Sequence, residues 1–166
     1  LKMIFNDCLG YKISDVGDDK RNLFIEVKNV SDNKKADGAI KKDGNVIAVI
    51  ELKSTKTSDF TKIQNQAFLY KASHGINCNY VITSNFEKLR FYIDSSSSFE
   101  EFNLFNLTKD DFKLLYICLH KENLFSGVPK NLKNKSVLEE ENITKKLYKD
   151  YSAFRRELFD SLVSSN

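Results

Sequence analysis

Glu51-Leu52-Lys53 closes an apolar run, Val46-Ile47-Ala48-Val49-Ile50. Side chains alternate along a strand, so a strand through this segment projects Glu51 and Lys53 to one face, about 7 Å apart along the chain. Asp37 stands fourteen positions before Glu51, with Asp43-Gly44 between them. Asp-Gly between apolar runs is a strong signal for a tight antiparallel hairpin, in which the start of one strand lies beside the end of the next. Asp37, Glu51 and Lys53 are therefore expected to converge. Two carboxylates and a main-chain carbonyl are the hard oxygen ligands that Mg²⁺ prefers, with positions left for waters and a phosphate oxygen. A nearby Lys can hold or deprotonate an attacking water and offset the charge on a phosphate. An isolated E-x-K is more often a solvated strand exit. The conjunction of an acid opening one hairpin strand, E-x-K closing the next and a helix straight after lifts this one above that background.

That helix is expected over residues 59–73, capped by Thr57 or Ser58 and stopped by Gly75, with Phe60, Ile63, Ala67 and Tyr70 at helical spacing. Gln66 and Tyr70 are four apart on one face, within reach of a nucleic-acid backbone or of the acidic cluster. On spacing alone a core Tyr with a boundary Gln is the commoner arrangement.

Around this unit, Leu23-Phe24-Ile25-Glu26-Val27-Lys28 alternates like a strand with one wet face, followed by a polar loop through Asn33, Lys34 and Lys35. The Val/Ile run before Glu51 is apolar on both faces, as in a central strand covered from both sides. Tyr80-Val81-Ile82-Thr83 and Leu89-Arg90-Phe91-Tyr92-Ile93 read as two further strands turning at Asn85-Phe86-Glu87. Residues 99–107 fit either a strand or irregular structure. Thr108 caps a helix expected from 109 to about 121, and a loop around Gly127-Val128-Pro129 leads to a last helix. There Ile143, Leu147, Tyr151, Phe154, Leu158 and Leu162 step by three and four, with Glu139-Glu140-Glu141 at the favourable amino end. The fold class is α/β: a mixed central β-sheet flanked by helices, with a long C-terminal helix.

The chain has 166 residues, 41% apolar, 12% aromatic and 30% charged, a composition that excludes disordered and fibrous classes. Lys and Arg number 26 against 23 Asp and Glu, a net charge of +3 that suits a polyanion without requiring one. Neither half forms a tail of one sign, so a nucleic-acid contact has to come from folded patches. Cys8, Cys78 and Cys118 are widely spaced, with no C-x-x-C pair, as expected of reduced thiols in a cytosolic protein. His74 and His120 lack metal-ligand spacing. No apolar run approaches the roughly 18 residues of a membrane span, so no membrane partner is expected.

Lys35-Ala36-Asp37-Gly38, Ala48-Val49-Ile50-Glu51-Leu52-Lys53, and Gln66-Ala67-Phe68-Leu69-Tyr70 followed by Tyr80-Val81-Ile82-Thr83-Ser84-Asn85-Phe86 resemble the PD-(D/E)xK nuclease domain of type IIG restriction enzymes. These are single chains that join an endonuclease to an adenine-type DNA methyltransferase. Thr144-Lys145-Lys146-Leu147-Tyr148-Lys149-Asp150-Tyr151 extends the resemblance, looking like the start of the helical connection to the methyltransferase. Ala36 replaces the Pro of the family name, which removes no ligand.

The resemblance implies a restriction-endonuclease-like core over residues 1–125, its amino-terminal helix truncated, and a helical connector over 126–166 toward an absent methyltransferase. Asp37, Glu51 and the Leu52 carbonyl would bind Mg²⁺, with Mn²⁺ able to substitute. Lys53 would assist the water, and Gln66 with Tyr70 would form a Q-x-x-x-Y motif. S-adenosylmethionine would belong only to the methyltransferase. The implied partner is double-stranded DNA in the bacterial cytoplasm, with a transient dimer for double-strand cleavage. A nuclease domain of a type I restriction motor subunit, and a catalytically silent DNA-binding or docking module of the same fold, are the alternative readings.

Overall fold

Six strands, β1 (Leu23–Lys28), β2 (Lys35–Lys42), β3 (Asn45–Leu52), β4 (Tyr80–Ser84), β5 (Lys88–Ile93) and β6 (Phe99–Asn103), form one sheet in sequence order. The computed structural model describes residues 3–13, 21–28 and 35–164, with only the backbone described beyond residue 156. Of the expected polar loop, Asn33 and Lys34 lie outside the described residues, and Lys35 already begins β2.

The β2–β3 hairpin turns at Asp43 and Gly44, both at positive φ (49° and 81°), which suits a twisted antiparallel pair. β1 adds to β2 antiparallel, with Ile25 opposite Gly38. A Cβ at Gly38 would sit 3.2 Å from the Phe24 carbonyl oxygen, so a side chain there would push β1 away. β3 pairs with β4 in parallel, an arrangement that needs a crossover, here supplied by helix α1 (Phe60–Ser73). β4, β5 and β6 follow as an antiparallel meander. The stretch from Phe99 thus contributes β6 in its first half.

Asp59 caps α1, accepting the Thr61 backbone N–H at 2.8 Å, in place of the expected Thr57 or Ser58. The reason is local: residues 54–57 form a turn in which the Thr57 N–H donates to the Ser54 carbonyl at 2.9 Å, leaving Asp59 next to the first helical residue. Gly75, at φ 80°, follows the helix as expected.

Thr108 and Asp111 form a reciprocal capping box at the start of α2 (Lys109–Leu119). The single helix expected to about residue 121 is divided, because His120 is extended (ψ 134°) and starts a second short helix, α3 (Lys121–Ser126). Gly127, at φ 75°, ends α3, and α4 (Val128–Ser164) begins at the next residue, where a loop was expected. Pro129 falls in its first turn, where a missing N–H breaks no bond. Glu139, Glu140 and Glu141 therefore lie about three turns inside the helix, beyond the reach of its terminal dipole.

Contacts divide the chain into two compact units, Leu1–Pro129 and Lys130–Asn166. In the first, the sheet is packed on both faces. One face buries Ile40, Ile50, Ile82, Phe91 and Phe102 with Phe5, Leu9, Leu115 and Leu119. The other buries Ala39, Val49, Val81 and Tyr92 with Ala67 and Tyr70 of α1. In the second unit, Ile143, Leu147, Tyr151 and Phe154 of α4 are exposed at spacings of three and four, the period of one helix face. No helix among the described residues is long and apolar enough to cross a membrane.

Candidate active site

Backbone pairing between β2 and β3 runs up to Gly38 opposite Ile50. Just beyond, the Leu52 N–H, two residues past Ile50, donates to the Asp37 side chain (Oδ2, 2.7 Å). The Asp37 carboxylate is thereby tied to the end of β3. Leu52, expected to offer its carbonyl, is thus held into the site by its amide.

Val49, and so Glu51 and Lys53 two and four residues on, belong to the face packed against α1. Lys53 Nζ donates to Glu51 Oε1 at 2.6 Å. The partners differ in exposure, 2% for the Glu51 side chain and 37% for that of Lys53, so the pair runs from a buried acid to an accessible amine. The second carboxylate oxygen, Glu51 Oε2, is buried with no hydrogen-bond partner.

Burial pushes the Glu51 carboxyl above the usual carboxylate range; the Lys53 hydrogen bond and charge and the Asp37 backbone N–H oppose this, the Asp37 charge adds to it, and the net direction is upward. For Lys53, burial favours the neutral amine, but the Glu51 hydrogen bond and the charges of Glu51 and Asp37 outweigh it and the ammonium is strengthened. At neutral pH Lys53 is therefore a cation and a donor, not a free base.

Tyr70 is buried on α1, against the sheet face that carries Glu51 and Lys53. Gln66 Nε2 donates to Tyr70 Oη at 2.8 Å, so these two form one unit on the helix. The structure thus brings Asp37, Glu51 and Lys53 together at the end of β3, with the Gln66–Tyr70 pair on the helix that covers the same face.

The face carries more than the sequence pattern picked out. Glu51 stands in register with Thr83 on β4, Thr83 with Arg90 on β5, and Arg90 with Glu101 on β6. Thr83 is buried, and its hydroxyl has no partner. The Arg90 guanidinium lies over the rings of Phe60 (4.5 Å) and Phe99 (4.7 Å), and its Nε donates to Glu101 at 2.6 Å. A polar row crosses four strands at this level. Nothing in the local sequence around Thr83 or Arg90 marks it, because membership depends on strand register.

The loop beyond β4 is anchored beside the site. Asn85 is buried; its side-chain N–H donates to the Thr57 carbonyl at 2.8 Å, and its Oδ1 accepts from the backbone of Glu87 and Lys88. One Asn therefore couples the segment after β3 to the turn between β4 and β5.

The donor set fits a hard divalent cation. Two carboxylates converge, and one buried oxygen of Glu51, Oε2, has no hydrogen-bond partner among the described residues. No cluster of three or more His, Cys, Asp or Glu occurs among the described residues, so main-chain oxygen and water would have to complete a coordination shell. An apolar hollow of about 90 Å³ also borders Asp37, bounded by Phe5, Leu23, Phe24, Ile50 and Leu52. Among the described residues Asp37 is its one charged group, and an acid does not attract a phosphate.

No family model matches the chain, and no curated protein matches it. Among solved structures, it is similar to the type IIG restriction endonuclease BpuSI, with 16% sequence identity and a TM-score of 0.45. The match covers 66% of this chain and 14% of that one.

Proposed function

We propose that this chain is the Mg²⁺-dependent DNA endonuclease domain of a type IIG restriction-modification enzyme, hydrolysing phosphodiester bonds. The observation that carries the reading is the convergence of Asp37 and Glu51 with Lys53, together with a buried Glu51 oxygen, Oε2, that has no hydrogen-bond partner among the described residues. An acid this buried is costly unless something charged faces it. Glu51, through the oxygen that Lys53 leaves open, would be a ligand for a divalent cation.

Asp37 and Glu51 would hold the Mg²⁺, with the Leu52 carbonyl and water completing the shell, and Mn²⁺ would substitute. The ion supplies a more acidic bound water and neutralisation of charge on the phosphate. Lys53 remains protonated beside Glu51 and offers its N–H groups to the attacking water and the phosphate oxygens. Tyr70, its hydroxyl held by Gln66, would support the site from α1.

Residues 1–125 would form the nuclease domain and 126–166 the connector toward a methyltransferase that uses S-adenosylmethionine. The partner would be double-stranded DNA in the bacterial cytoplasm, bound mainly through phosphates, with a transient dimer serving double-strand cleavage.

The test is Mg²⁺-dependent cleavage of DNA by the intact protein and by its Asp37→Ala and Glu51→Ala variants. Both variants are expected to fall to background while any methylation activity persists. Cutting retained by either variant overturns the assignment. Calorimetric titration with Mn²⁺ separates a silent module of the same fold, which would bind no ion at Asp37 and Glu51.

A further inference from the structure

Thr83 and Glu51 are register partners on adjacent parallel strands and lie on the same face of the sheet. Strands stand about 4.8 Å apart, so the two side chains are direct neighbours. Each is almost wholly enclosed, at 0% and 1% exposure, and each carries an oxygen with no hydrogen-bond partner, Thr83 Oγ1 and Glu51 Oε2.

A buried hydroxyl without a partner costs stability, and native interiors hold few of them. Val would continue the Val81-Ile82 run in β4, keep the shape and remove that cost. The two unpartnered atoms are also complementary, since a hydroxyl donates and a carboxylate oxygen accepts.

We propose that Thr83 is a positioning residue of the site, its hydroxyl donating to the Oε2 side of Glu51, directly after a small side-chain rotation or through one shared water. A carboxylate oxygen has two lone pairs, so Thr83 would fill one on Oε2 and leave the other for a divalent cation, while Lys53 holds Oε1 and the orientation of the Glu51 carboxylate is fixed. This rests on the nuclease reading and adds a residue to it. Partners that orient a metal-binding carboxylate typically contribute 10- to 100-fold in metal affinity.

The experiment is calorimetric titration of Mn²⁺ into the wild-type protein and its Thr83→Val, Thr83→Ser, Thr83→Ala and Glu51→Ala variants, with metal-free thermal melting of each. Thr83→Val is expected to weaken binding by about 10-fold or more while its metal-free melting temperature holds or rises. Thr83→Ser, which keeps the hydroxyl, should bind like the wild type. Wild-type affinity in Thr83→Val overturns the assignment. Should Thr83→Val fold poorly, the Ser and Ala variants decide: weaker binding by Ala supports the role of the hydroxyl, and equal binding removes it. If the wild type binds no Mn²⁺, or Glu51→Ala binds as well as the wild type, the nuclease reading itself fails and the role of Thr83 goes with it.

Discussion

The two faces of the sheet are built from the same strands and differ in what those strands point at. Under α2, α3 and the π-helical turn Ile4–Cys8, the sheet presents Ile40, Ile50, Ile82 and Phe91 to Phe5, Leu9, Leu115 and Leu119. Under α1, it starts with Ala39, Val49 and Val81, then turns polar at one level, with Glu51, Thr83 and Arg90 in register. Burial on the first face packs apolar side chains together, which stabilises the fold. On the second, burial of a polar row raises the affinity of Glu51 for its proton and leaves two oxygens without partners, an arrangement that costs stability and is retained where chemistry needs it.

The comparison breaks most visibly at Phe91, which is fully buried on the apolar face and stacks on Tyr80 with ring centroids 5.4 Å apart. Phe91→Ala is expected to lower stability by about 3–5 kcal/mol, a large share of a typical domain's total, as read by denaturant unfolding. A loss under about 1 kcal/mol would mean that this face is not the main source of stability.

On the polar face the expected effect is on rate. Lys53→Ala should lower cleavage by about 100-fold or more at saturating Mg²⁺, with a smaller change in the Mg²⁺ midpoint. A shifted midpoint with an unchanged maximal rate would make Lys53 a structural partner of Glu51 and not a participant.

The smallest effect compares how tightly the faces are closed. Cys118 lies on the apolar face and Cys78 on the α1 face, and burial pushes both thiols up to about 12. Thiolate is the reactive form, so both should resist alkylation at pH 8 in the folded protein, while the exposed Cys8 reacts at once. Alkylation of Cys78 ahead of Cys118, followed by mass spectrometry, would show that the α1 face opens more readily.

Much of the architecture was legible because it follows from local rules. Asp43-Gly44 dictated the hairpin, the Val/Ile run dictated a strand covered on both faces, and the spacing of Phe60, Ile63, Ala67 and Tyr70 dictated the crossover helix. Boundaries were less legible. The cap of α1 moved to Asp59 because a turn at residues 54–57 uses the backbone before it, and α4 began at Val128 because Gly127 alone sufficed to end α3.

By itself the sequence determined that Asp37 and the Glu51-Leu52-Lys53 segment meet, since a hairpin of that length brings its two open ends together. Only the tertiary structure decided how they meet. It ties the Asp37 carboxylate to the Leu52 amide and joins one Glu51 oxygen to Lys53, leaving the other buried beside Thr83. The neighbour of Glu51 on β4 comes 32 residues later in the chain and is set by the register of a parallel pair. That register depends on how α1 packs across both strands, a property of the assembled layers that no local pattern records.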